Sequence, residues 1–345
     1  MKLFFFQKVV VEKAMKIIHC SVWGDIELSD LALSIVDTAL FQRLHYIKQT
    51  GFAYKVFPTA TSSRFEHSIG VYHITRLFME EIVRKQPEVD PGPRIRELVC
   101  LAGLVHDLGH GPFSHLLDEF LEQTVGHIPW AEHEYRGVAL FRHLVEEHAI
   151  PLSEKEVQFI TDRIHNPPRD QWYDTLICNP YSSLDTDKMD YVVRDSLHFG
   201  MKFNTDVTRL LRNARVIQNQ VCFCERVRDE MDLFFQIRER MHRTIYRHPK
   251  IRYFERYLLL YLQQYAENKI GEMAIQKDVD AFLGMTDASI LFLVPPKIWS
   301  LVETRKAPAL TMEPVAFHCE QWEKAKQNMR YYKRKQPHVS FTLPI

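Results

Sequence analysis

The amino-acid sequence predicts a mostly α-helical protein that combines a helical core with a small β-hairpin and a C-terminal helical lobe. Apolar residues recur at helical spacing through most of the chain, and these runs begin at capping residues such as Ser29 and end at glycine or proline. The stretch from Val216 to Cys224 instead alternates with a period of two, and Asn219 lies where a hairpin turn is expected. The two patterns together favour the mostly α class.

The predicted helices follow one another with short breaks. After short β-prone runs between Met15 and Leu28, a helix begins at Ser29 or Asp30 and runs to about Gln49, before Gly51. A second helix begins near Arg64 and stops at Pro87, and prolines 91 and 93 precede the central helix. Further helices are predicted over residues 113–125, 130–148, 153–165, 183–200, 225–246 and 251–266.

Length and composition limit the organisation and the setting of the protein. The 345 residues predict an N-terminal extension (1–14), a catalytic core (15–265) and a C-terminal helical lobe (266–345). Lys plus Arg and Asp plus Glu both number 44, so an anion site must be local. Six cysteines without framework spacing predict a reducing compartment. No stretch fits a signal peptide or a membrane span, so we expect an intracellular protein, cytoplasmic or nuclear, with no membrane partner.

The stretch Leu101 to His115, LAGLVHDLGHGPFSH, carries the strongest chemical signal. An apolar helical pattern there encloses His106 and Asp107, and burial of such titratable groups is costly unless a partner neutralises them. Gly109 and Gly111-Pro112 break the helix, so the pair lies at its last turn, where both side chains can reach one divalent cation. A helix end with ordinary polar caps is the alternative interpretation.

Two other stretches hold groups that can complete a metal site. His67 lies in the first turn of its helix, where a histidine without partners would more simply be a capping or surface residue. The helix over 183–200 has a polar face dense in carboxylates, which either meets cations or is a solvated face. Its carboxylates are Asp185, Asp187, Asp190 and Asp195. With the His-Asp pair, His67 and Asp187 give two imidazoles and two carboxylates, a set suited to Fe, Mn, Zn or Co.

The order H…HD…D is the signature of the HD superfamily of metal-dependent phosphohydrolases, which this sequence resembles. Further segments are similar to one branch, the deoxynucleoside triphosphate (dNTP) triphosphohydrolases, especially the vertebrate members that also carry a SAM domain. The segments are VDTALFQRLHYIKQTG, FPTATSSRFEHSIGV, LAGLVHDLGHGPFSH, LDTDKMDYVVRDSLHFG and RERMHRTIYRH. The resemblance covers roughly Met15 to Leu262, it includes no SAM domain, and the residues beyond it match poorly.

This resemblance implies an HD-domain helical core and hydrolysis of a dNTP to deoxynucleoside and inorganic triphosphate. It implies a divalent transition metal, Fe, Zn or Mn, with Mg accompanying the triphosphate. The implied metal ligands are His67, His106, Asp107 and Asp187. The implied catalytic residues are His115, Asp118, His110 and His133. The implied substrate-binding residues are Gln49, Arg64, Lys188, Tyr191, Asp195, Arg238 and Tyr246.

The implied roles differ among these residues. His115 matches the acid that protonates the leaving 5′ oxygen, and Asp118, three residues later on one helical face, is expected to orient it. His110 and His133 match histidines that support water or phosphate. The family's phosphate clamps correspond to Arg64, Lys188 and Arg238, and its contacts to sugar or phosphate correspond to Gln49, Tyr191 and Asp195. Asp195 matches an acceptor for the 3′ hydroxyl, and Tyr246 an aromatic ring against the 2′ carbon, where a ribose hydroxyl would clash.

Two other functions remain open at this stage. Another HD-superfamily phosphohydrolase, a nucleotidase or phosphodiesterase, would keep the metal ligands and lose the triphosphate clamps. A non-catalytic nucleic-acid-binding or scaffold protein would use the Arg-rich region 209–256, although acidic residues interrupt it, and weak single-stranded nucleic-acid binding could accompany catalysis. The resemblance implies a homo-oligomer, a dimer or tetramer.

The resemblance also bears on regulation, because the vertebrate enzymes assemble around guanine nucleotide and dNTP activators. Several activator positions are retained, namely Lys16, Asp37, Gln42 and Arg209. Three differ: His19 stands for an asparagine, and His45 and Cys224 stand for arginines. A largely neutral imidazole and a thiol cannot replace two permanent cations. We therefore predict that GTP is a weak or unnecessary activator.

Overall fold

The structure, a computed structural model, describes residues 16–201, 206–306, 327–334 and 339–342. It is mostly helical, which confirms the predicted fold class. The first elements are a hairpin and seven helices: β1 (Lys16–Cys20), β2 (Gly24–Leu28), α1 (Asp30–Val36), α2 (Ala39–Gln42), α3 (Arg64–Lys85), α4 (Pro93–Val105), α5 (His115–Thr124), α6 (His133–Glu147) and α7 (Glu154–Ile164). Short 3₁₀ turns at Arg43–Tyr46, Gly51–Lys55, Pro87–Val89 and Pro129–Ala131 link some of them.

The second half continues with helices and a small sheet. Its elements are α8 (Thr186–His198), α9 (Val207–Arg212), β3 (Ala214–Ile217), β4 (Gln220–Cys224), α10 (Arg228–Met241), α11 (Pro249–Gln276), α12 (Val279–Leu283), α13 (Asp287–Leu291), α14 (Pro296–Glu303), β5 (Tyr331–Arg334) and β6 (Val339–Thr342). A 3₁₀ turn at Glu225–Val227 precedes α10, and a π-helical turn at His242–Tyr246 follows it. Among the described helices, none is both long and apolar enough to cross a membrane.

The predicted hairpin turning at Asn219 is confirmed. β3 and β4 pair antiparallel, with Ile217 opposite Gln220, and both Gln218 and Asn219 have positive φ angles, as tight hairpin turns require. The structure extends this hairpin to a four-stranded sheet in the order β3-β4-β5-β6, with β5 parallel to β4. The C-terminal part therefore contributes the strands β5 and β6 to this sheet in addition to its helices α12, α13 and α14. The predicted extension 1–14 lies outside the described residues.

The helix expected from Ser29 to Gln49 is instead broken in two. Asp37 ends α1, and the Thr38 side chain accepts from the backbone N of Phe41 at 3.3 Å, so that a new helix begins. Apolar spacing continues across the break because both halves pack into the same core, with Ile35 and Leu44 fully buried. Hydrophobic periodicity alone does not reveal such a cap, because threonine also occurs within helices.

Helix α3 organises the part of the core that positions the site. It packs against both α4 and α8 and is buried on most of its faces, including polar residues such as Ser68 and Thr75. Ser63 caps its first turn by accepting from the backbone N of Glu66, and Asp185 caps α8 in the same way at Lys188. The start of α3, the end of α4 and the start of α8 thereby meet in the protein interior.

Candidate active site and metal centre

The meeting point of these three helices holds the four predicted metal ligands, which we call the metal centre: His67, His106, Asp107 and Asp187. His67 Nε2 lies 3.1 Å from Asp187 Oδ1 and 3.6 Å from Asp107 Oδ2. His106 Nε2 lies 3.3 Å from Asp107 Oδ1 and 3.8 Å from Asp187 Oδ1. The four side chains therefore direct two imidazole nitrogens and two carboxylates at one point, the mixed donor set that divalent transition metals take.

The hydrogen bonds of the two imidazoles fit a metal. His67 Nδ1 donates to Asp190 Oδ2, and His106 Nδ1 donates to the Gly103 carbonyl oxygen, each at 2.8 Å. An imidazole that donates through Nδ1 presents the lone pair of Nε2 as a ligand. Among the described residues, neither Nε2 has a hydrogen-bond partner of acceptable geometry, although both atoms are buried. A divalent ion satisfies both nitrogens at once.

The electrostatics of the metal centre also favour a cation. Burial lowers the pKa of His67, but the nearby carboxylate of Asp187, the hydrogen bond to Asp190 and the charge of Asp107 outweigh it and raise the pKa to about 10. Burial opposes ionisation of Asp107, yet Arg64 and the neighbouring histidines hold its pKa well below the ordinary value. Ionised carboxylates thus surround the imidazoles and attract positive charge, either a proton or a metal ion.

Asp190 supports the metal centre and was not among the predicted site residues. Besides His67, it accepts from Trp23 Nε1 at 2.6 Å and from both Nε and Nη2 of Arg194 at 2.7 and 2.8 Å. Gly70 makes room for it, because an added Cβ there would lie 1.9 Å from Asp190 Oδ1. The carboxylate-rich face of α8 was the sequence signal, but it did not show which aspartate faces a ligand and which faces its support.

A second group of side chains, which we call the histidine cluster, lies beside the metal centre: His110, His115 and His133 with Asp118. His110 Nε2 lies 3.3 Å from Asp107 Oδ1, and its ring stacks on that of His133 with centroids 3.9 Å apart. Burial, with the charge of Arg64, lowers the pKa of His110 well below the ordinary value, so this ring is neutral. The cluster thus joins the metal ligands to the open side of the cavity.

The expected pairing of Asp118 with His115 differs from what the structure shows. Asp118 Oδ2 accepts from His133 Nδ1 at 2.7 Å, whereas His115 Nδ1 lies 3.8 Å away, beyond hydrogen-bond distance. The other oxygen of Asp118 accepts from the fully buried Arg136 at 2.5 Å. The i, i+3 spacing gave the correct helical face, but α6 brings His133 closer to that face. Asp118 therefore orients His133, and His115 remains 72% exposed at its side chain.

Strained backbone precedes His115 and fixes where α5 begins. Phe113 and Ser114 both have positive φ angles, 54° and 58°, which is uncommon for residues other than glycine. Phe113 N donates to Asp287 Oδ1 at 2.6 Å, and Ser114 Oγ donates to the Lys48 carbonyl at 2.7 Å. These bonds hold the turn against its strain, so the histidine at the first helical position is placed by long-range contacts.

The predicted cationic residues lie around the metal centre with different partners. Arg64 Nη1 donates to Asp107 Oδ2 at 2.7 Å and its Nε donates to Ser114 Oγ at 3.0 Å. Lys188 Nζ lies 2.7 Å from Asp185 and 3.7 Å from Asp187. Arg238 Nε donates to the Tyr191 hydroxyl at 2.6 Å. All three cations are therefore held in place by protein groups.

A tyrosine and an aspartate form the next part of the site. Tyr246, at the end of the π-helical turn, donates its hydroxyl to Asp195 Oδ2 at 2.7 Å. Burial raises the pKa of Asp195 to about 6, partly offset by this hydrogen bond. The second oxygen, Oδ1, is buried and has no hydrogen-bond partner in the described chain, and the same holds for Gln49 Oε1. Both atoms are acceptors available to a ligand.

One cavity of about 420 Å³ connects these groups. Its walls include most of the predicted residues: Gln49, Arg64, His106, Asp107, His110, His115, His133, Asp187, Lys188, Tyr191, Asp195 and Tyr246. His67, Asp118 and Arg238 do not line it and contact those that do. Sequence patterns missed several wall residues, notably Thr50, Ile251, Arg252 and Glu255. Its volume is within the range of small-molecule sites.

Comparison with known proteins agrees with this geometry. Residues 64–181 match the HD domain family. The chain is 35% identical over 268 residues to "Deoxynucleoside triphosphate triphosphohydrolase SAMHD1" of Bos taurus, covering 69% of this chain and 45% of that protein. It is 36% identical over 263 residues to the Homo sapiens protein of the same name, covering 68% and 42%.

A viral relative matches over a longer stretch. HD domain-containing protein L394 of Acanthamoeba polyphaga mimivirus is 34% identical over 309 residues, covering 82% of this chain and 65% of that protein. The chain spans less than half the length of the SAMHD1 proteins that it matches. The arrangement of the metal centre, the HD match and these identities lead to one conclusion: the chain contains an HD domain at residues 64–181 and is similar to the SAMHD1 triphosphohydrolases over about two thirds of its own length.

Proposed function

We propose that this protein is a metal-dependent dNTP triphosphohydrolase, which cleaves a dNTP to deoxynucleoside and inorganic triphosphate. The observation that carries the proposal is a single cavity lined by residues of the metal centre, by the cations Arg64 and Lys188 and by the Tyr246–Asp195 pair, with Arg238 hydrogen-bonded to the wall residue Tyr191. A nucleotidase or phosphodiesterase also needs the metal centre, but it does not need this concentration of positive charge. The names of the SAMHD1 relatives support the same activity.

The metal centre is proposed to act on the α-phosphate. Its two imidazoles and two carboxylates suit Fe, Zn or Mn, with Mg accompanying the triphosphate. When bound, such an ion supplies positive charge for a phosphate oxygen and lowers the pKa of a coordinated water. Arg64, Lys188 and Arg238 are proposed to bind the remaining phosphate oxygens, since guanidinium and ammonium groups match them in charge and hydrogen-bonding capacity.

His115 is proposed to protonate the leaving group. Water attacks the α-phosphorus and loses a proton to solvent, the bond from phosphorus to the 5′ oxygen breaks, and that oxygen takes a proton from the imidazole, which regains one from solvent. A 5′ alkoxide is a poor leaving group without this proton, so a positioned acid is needed. His133, whose Nδ1 donates to Asp118, and the neutral His110 are proposed to support the water or a phosphate oxygen.

The Tyr246–Asp195 pair is proposed to hold the sugar. Asp195 Oδ1, which is buried and without a partner in the described chain, is a suitable acceptor for a 3′ hydroxyl. The Tyr246 ring packs between Tyr191 and Phe199, with centroids 6.3 Å from each, so it has little freedom to yield. We propose that it crowds the 2′ position and disfavours ribonucleotides, while Gln49 contributes a further polar contact.

Assembly and regulation are proposed by analogy with the relatives. We expect a homo-oligomer, a dimer or tetramer, and weak binding of single-stranded nucleic acid at most, since several arginines of region 209–256 are paired. Arg209 lies 2.5 Å from Glu230, and Arg252 lies 2.8 Å from Glu255. Neither pair leaves its guanidinium fully available for phosphate.

Product chromatography on dATP, combined with metal analysis of the purified protein, tests the proposal. Deoxyadenosine and triphosphate in equal amounts, with a bound transition metal, are expected. Release of diphosphate and dAMP, or of phosphate alone, would assign a different HD-superfamily reaction. No turnover of any dNTP by metal-loaded protein would favour a binding or scaffold function.

A further inference from the structure

The proposed function leaves part of the cavity wall without a role, and this part includes two charged side chains. Beyond the metal centre and the Tyr246–Asp195 pair, the wall continues with Thr50 and Gly51 on one side and with Ile251, Arg252 and Glu255 on the first turns of α11 on the other. We call these five residues the distal wall. With its phosphates at the metal centre and its sugar at Tyr246, as proposed above, a nucleotide has this part of the wall left for its base.

Within the distal wall, only one of the two Glu255 carboxylate oxygens is bonded to Arg252. Arg252 Nη1 donates to its Oε2 at 2.8 Å, so that oxygen is already engaged. The other oxygen, Oε1, faces Gly51, since a Cβ added to that glycine would lie 3.8 Å from it. Gly51 has φ +52°, a conformation that favours glycine, and an added Cβ would lie only 3.2 Å from the Phe113 carbonyl oxygen, so a side chain is disfavoured at this position.

The other polar atoms of this part of the wall are also short of partners. Thr50 Oγ1 and Gln49 Oε1 are buried, and neither has a hydrogen-bond partner among the described residues. Arg252 is committed to carboxylates, because its Nη2 lies 3.5 Å from Glu119 as well. The Thr50 hydroxyl and the Gln49 amide can each donate or accept, whereas an ionised Glu255 carboxylate only accepts, so a carbonyl oxygen placed against Glu255 is disfavoured.

From this arrangement, and resting on the proposed function, we infer that Glu255 is a specificity-determining residue that accepts a hydrogen bond from an exocyclic amino group of the base. Adenine and cytosine carry such a group at the positions where hypoxanthine and uracil carry a carbonyl oxygen. A carboxylate accepts from the amino group and repels the carbonyl. The enzyme thus prefers an amino-bearing dNTP to its deaminated counterpart.

The ionisation of Glu255 sets the conditions for a test. Burial raises its pKa to about 7, the facing Glu119 adds to the rise, and Arg252 opposes it. A protonated carboxyl group can donate to a carbonyl oxygen, which would reduce the preference for an amino-bearing base over its deaminated counterpart. The Glu255 carboxyl group is mainly ionised at pH 8, so the measurements are made at that pH.

The experiment compares kcat/KM at pH 8 for the matched pairs dATP against dITP and dCTP against dUTP. In the wild type, at least one pair is expected to favour the amino nucleotide by about tenfold or more, the range for a hydrogen bond to a charged group. One pair suffices, because purines and pyrimidines place the amino group at different distances from the sugar. Glu255→Gln should bring that ratio close to one, since an amide both donates and accepts.

Glu119→Gln is the matched control, because Glu119 contacts the same arginine and does not line the cavity. It should keep the wild-type ratio. Glu255→Asp, which withdraws the carboxylate by one methylene, is the second variant and should reduce the ratio in a chain with the same charge. Equal kcat/KM within both pairs, or a ratio unchanged in both Glu255 variants, overturns the inference while the triphosphohydrolase proposal stands. Absence of triphosphate release from all four nucleotides overturns the proposed function itself.

Discussion

The metal centre and the histidine cluster lie side by side, yet their histidines are held in different ways. In the metal centre each ring has one nitrogen fixed by a 2.8 Å hydrogen bond and the other buried and directed at a common point. In the cluster, His133 has a comparable bond to Asp118, but His115 is largely exposed and its nearest carboxylate oxygen is 3.8 Å away. The first region is rigid and buried, and the second opens to solvent.

This difference separates two chemical requirements. A ligand set must be held in one geometry before the ion arrives, because misplaced donors lose affinity. A proton donor must instead exchange its proton with solvent between turnovers, which an exposed imidazole does readily. Variants of the first region should therefore affect metal content, and variants of His115 should affect rate alone.

Loss of a metal ligand should have the largest effect. Asp107→Ala is expected to abolish both metal binding and turnover, because the centre loses a carboxylate that lies near both imidazoles. Metal analysis and triphosphate release measure the two losses. Asp174→Ala is the matched control, since it breaks another buried pair, with Arg163, away from the cavity. An Asp107→Ala protein with wild-type metal and rate would contradict the ligand assignment, whatever its thermal stability.

Removal of the proposed acid should have the next largest effect. His115→Ala is expected to lower kcat by about 10²–10⁴-fold, the usual contribution of a positioned acid, with metal content and nucleotide binding retained. Single-turnover rates and equilibrium binding of dATP separate these quantities. His127→Ala replaces a surface histidine that is 89% exposed at its side chain and should have no effect. A change in KM with kcat unchanged would make His115 a binding residue.

The sequence singled out the four side chains that the structure brings together at the metal centre, but not the groups that support them. His106 and Asp107 follow an apolar helical run that implied burial, whereas His67 and Asp187 were singled out mainly by the order of the family pattern. The partners of their rings come from elsewhere: Asp190 lies one turn along α8, and Gly103 contributes only a carbonyl oxygen. Neither the identity nor the direction of such contacts follows from periodicity.

The distal wall was missed for a related reason. Thr50 and Glu255 lie more than 200 positions apart in the sequence and approach only because α11 packs against the Gly51–Lys55 turn. The shift of Asp118 from His115 to His133 has the same origin, since His133 and Arg136 in the first turn of α6 bond to Asp118. Local patterns predict helices and faces, whereas pairings between distant elements depend on packing.

A change in the support of the metal centre should have an intermediate effect. Asp190→Asn is expected to lower metal affinity or activity by about 10–100-fold, because the amide no longer fixes the His67 ring as an ionised acceptor does. Metal affinity by chelator competition is the readout that a purely structural role would not move.

Gly70→Ala should reproduce this loss of metal affinity although it replaces no polar side chain, because its Cβ would collide with Asp190 Oδ1. Gly284→Ala is the control, since an added Cβ there meets nothing closer than 3.5 Å. Full metal affinity in both Asp190→Asn and Gly70→Ala would reduce Asp190 to a packing residue.

Substitution of Tyr246 should have a smaller effect, because it changes only the selectivity for the sugar, which depends on a contact outside the metal centre and the histidine cluster. Tyr246→Ala is expected to reduce the preference for dATP over ATP by about tenfold, since the ring no longer crowds the 2′ position. Tyr246→Phe keeps the ring and loses only the bond to Asp195, so it should keep most of the preference. Equal kcat/KM for dATP and ATP in the wild type would favour a broader nucleotidase.

The smallest effect on the rate of dATP hydrolysis is expected from added GTP, and the surroundings of two residues support this expectation. Cys224 is buried in β4 with Cys222 and Tyr332, so it cannot meet an activator phosphate in this conformation. His45 stacks on Phe65 with ring centroids 3.6 Å apart, and burial lowers the pKa of its imidazole, which keeps it neutral. Neither residue offers the permanent positive charge of an arginine.

Rates of dATP hydrolysis with and without GTP, measured with the mass of the protein in solution, are therefore expected to differ little. An enzyme that is constitutively assembled shows the same mass under both conditions, and one activated by dNTPs alone grows in mass only when dATP is present. A protein that is silent without GTP and assembles when GTP is added would contradict this expectation. The variant His45→Arg tests the reason for a weak GTP response. If the missing positive charge is that reason, this variant should gain a response to GTP, while its metal content stays that of the wild type.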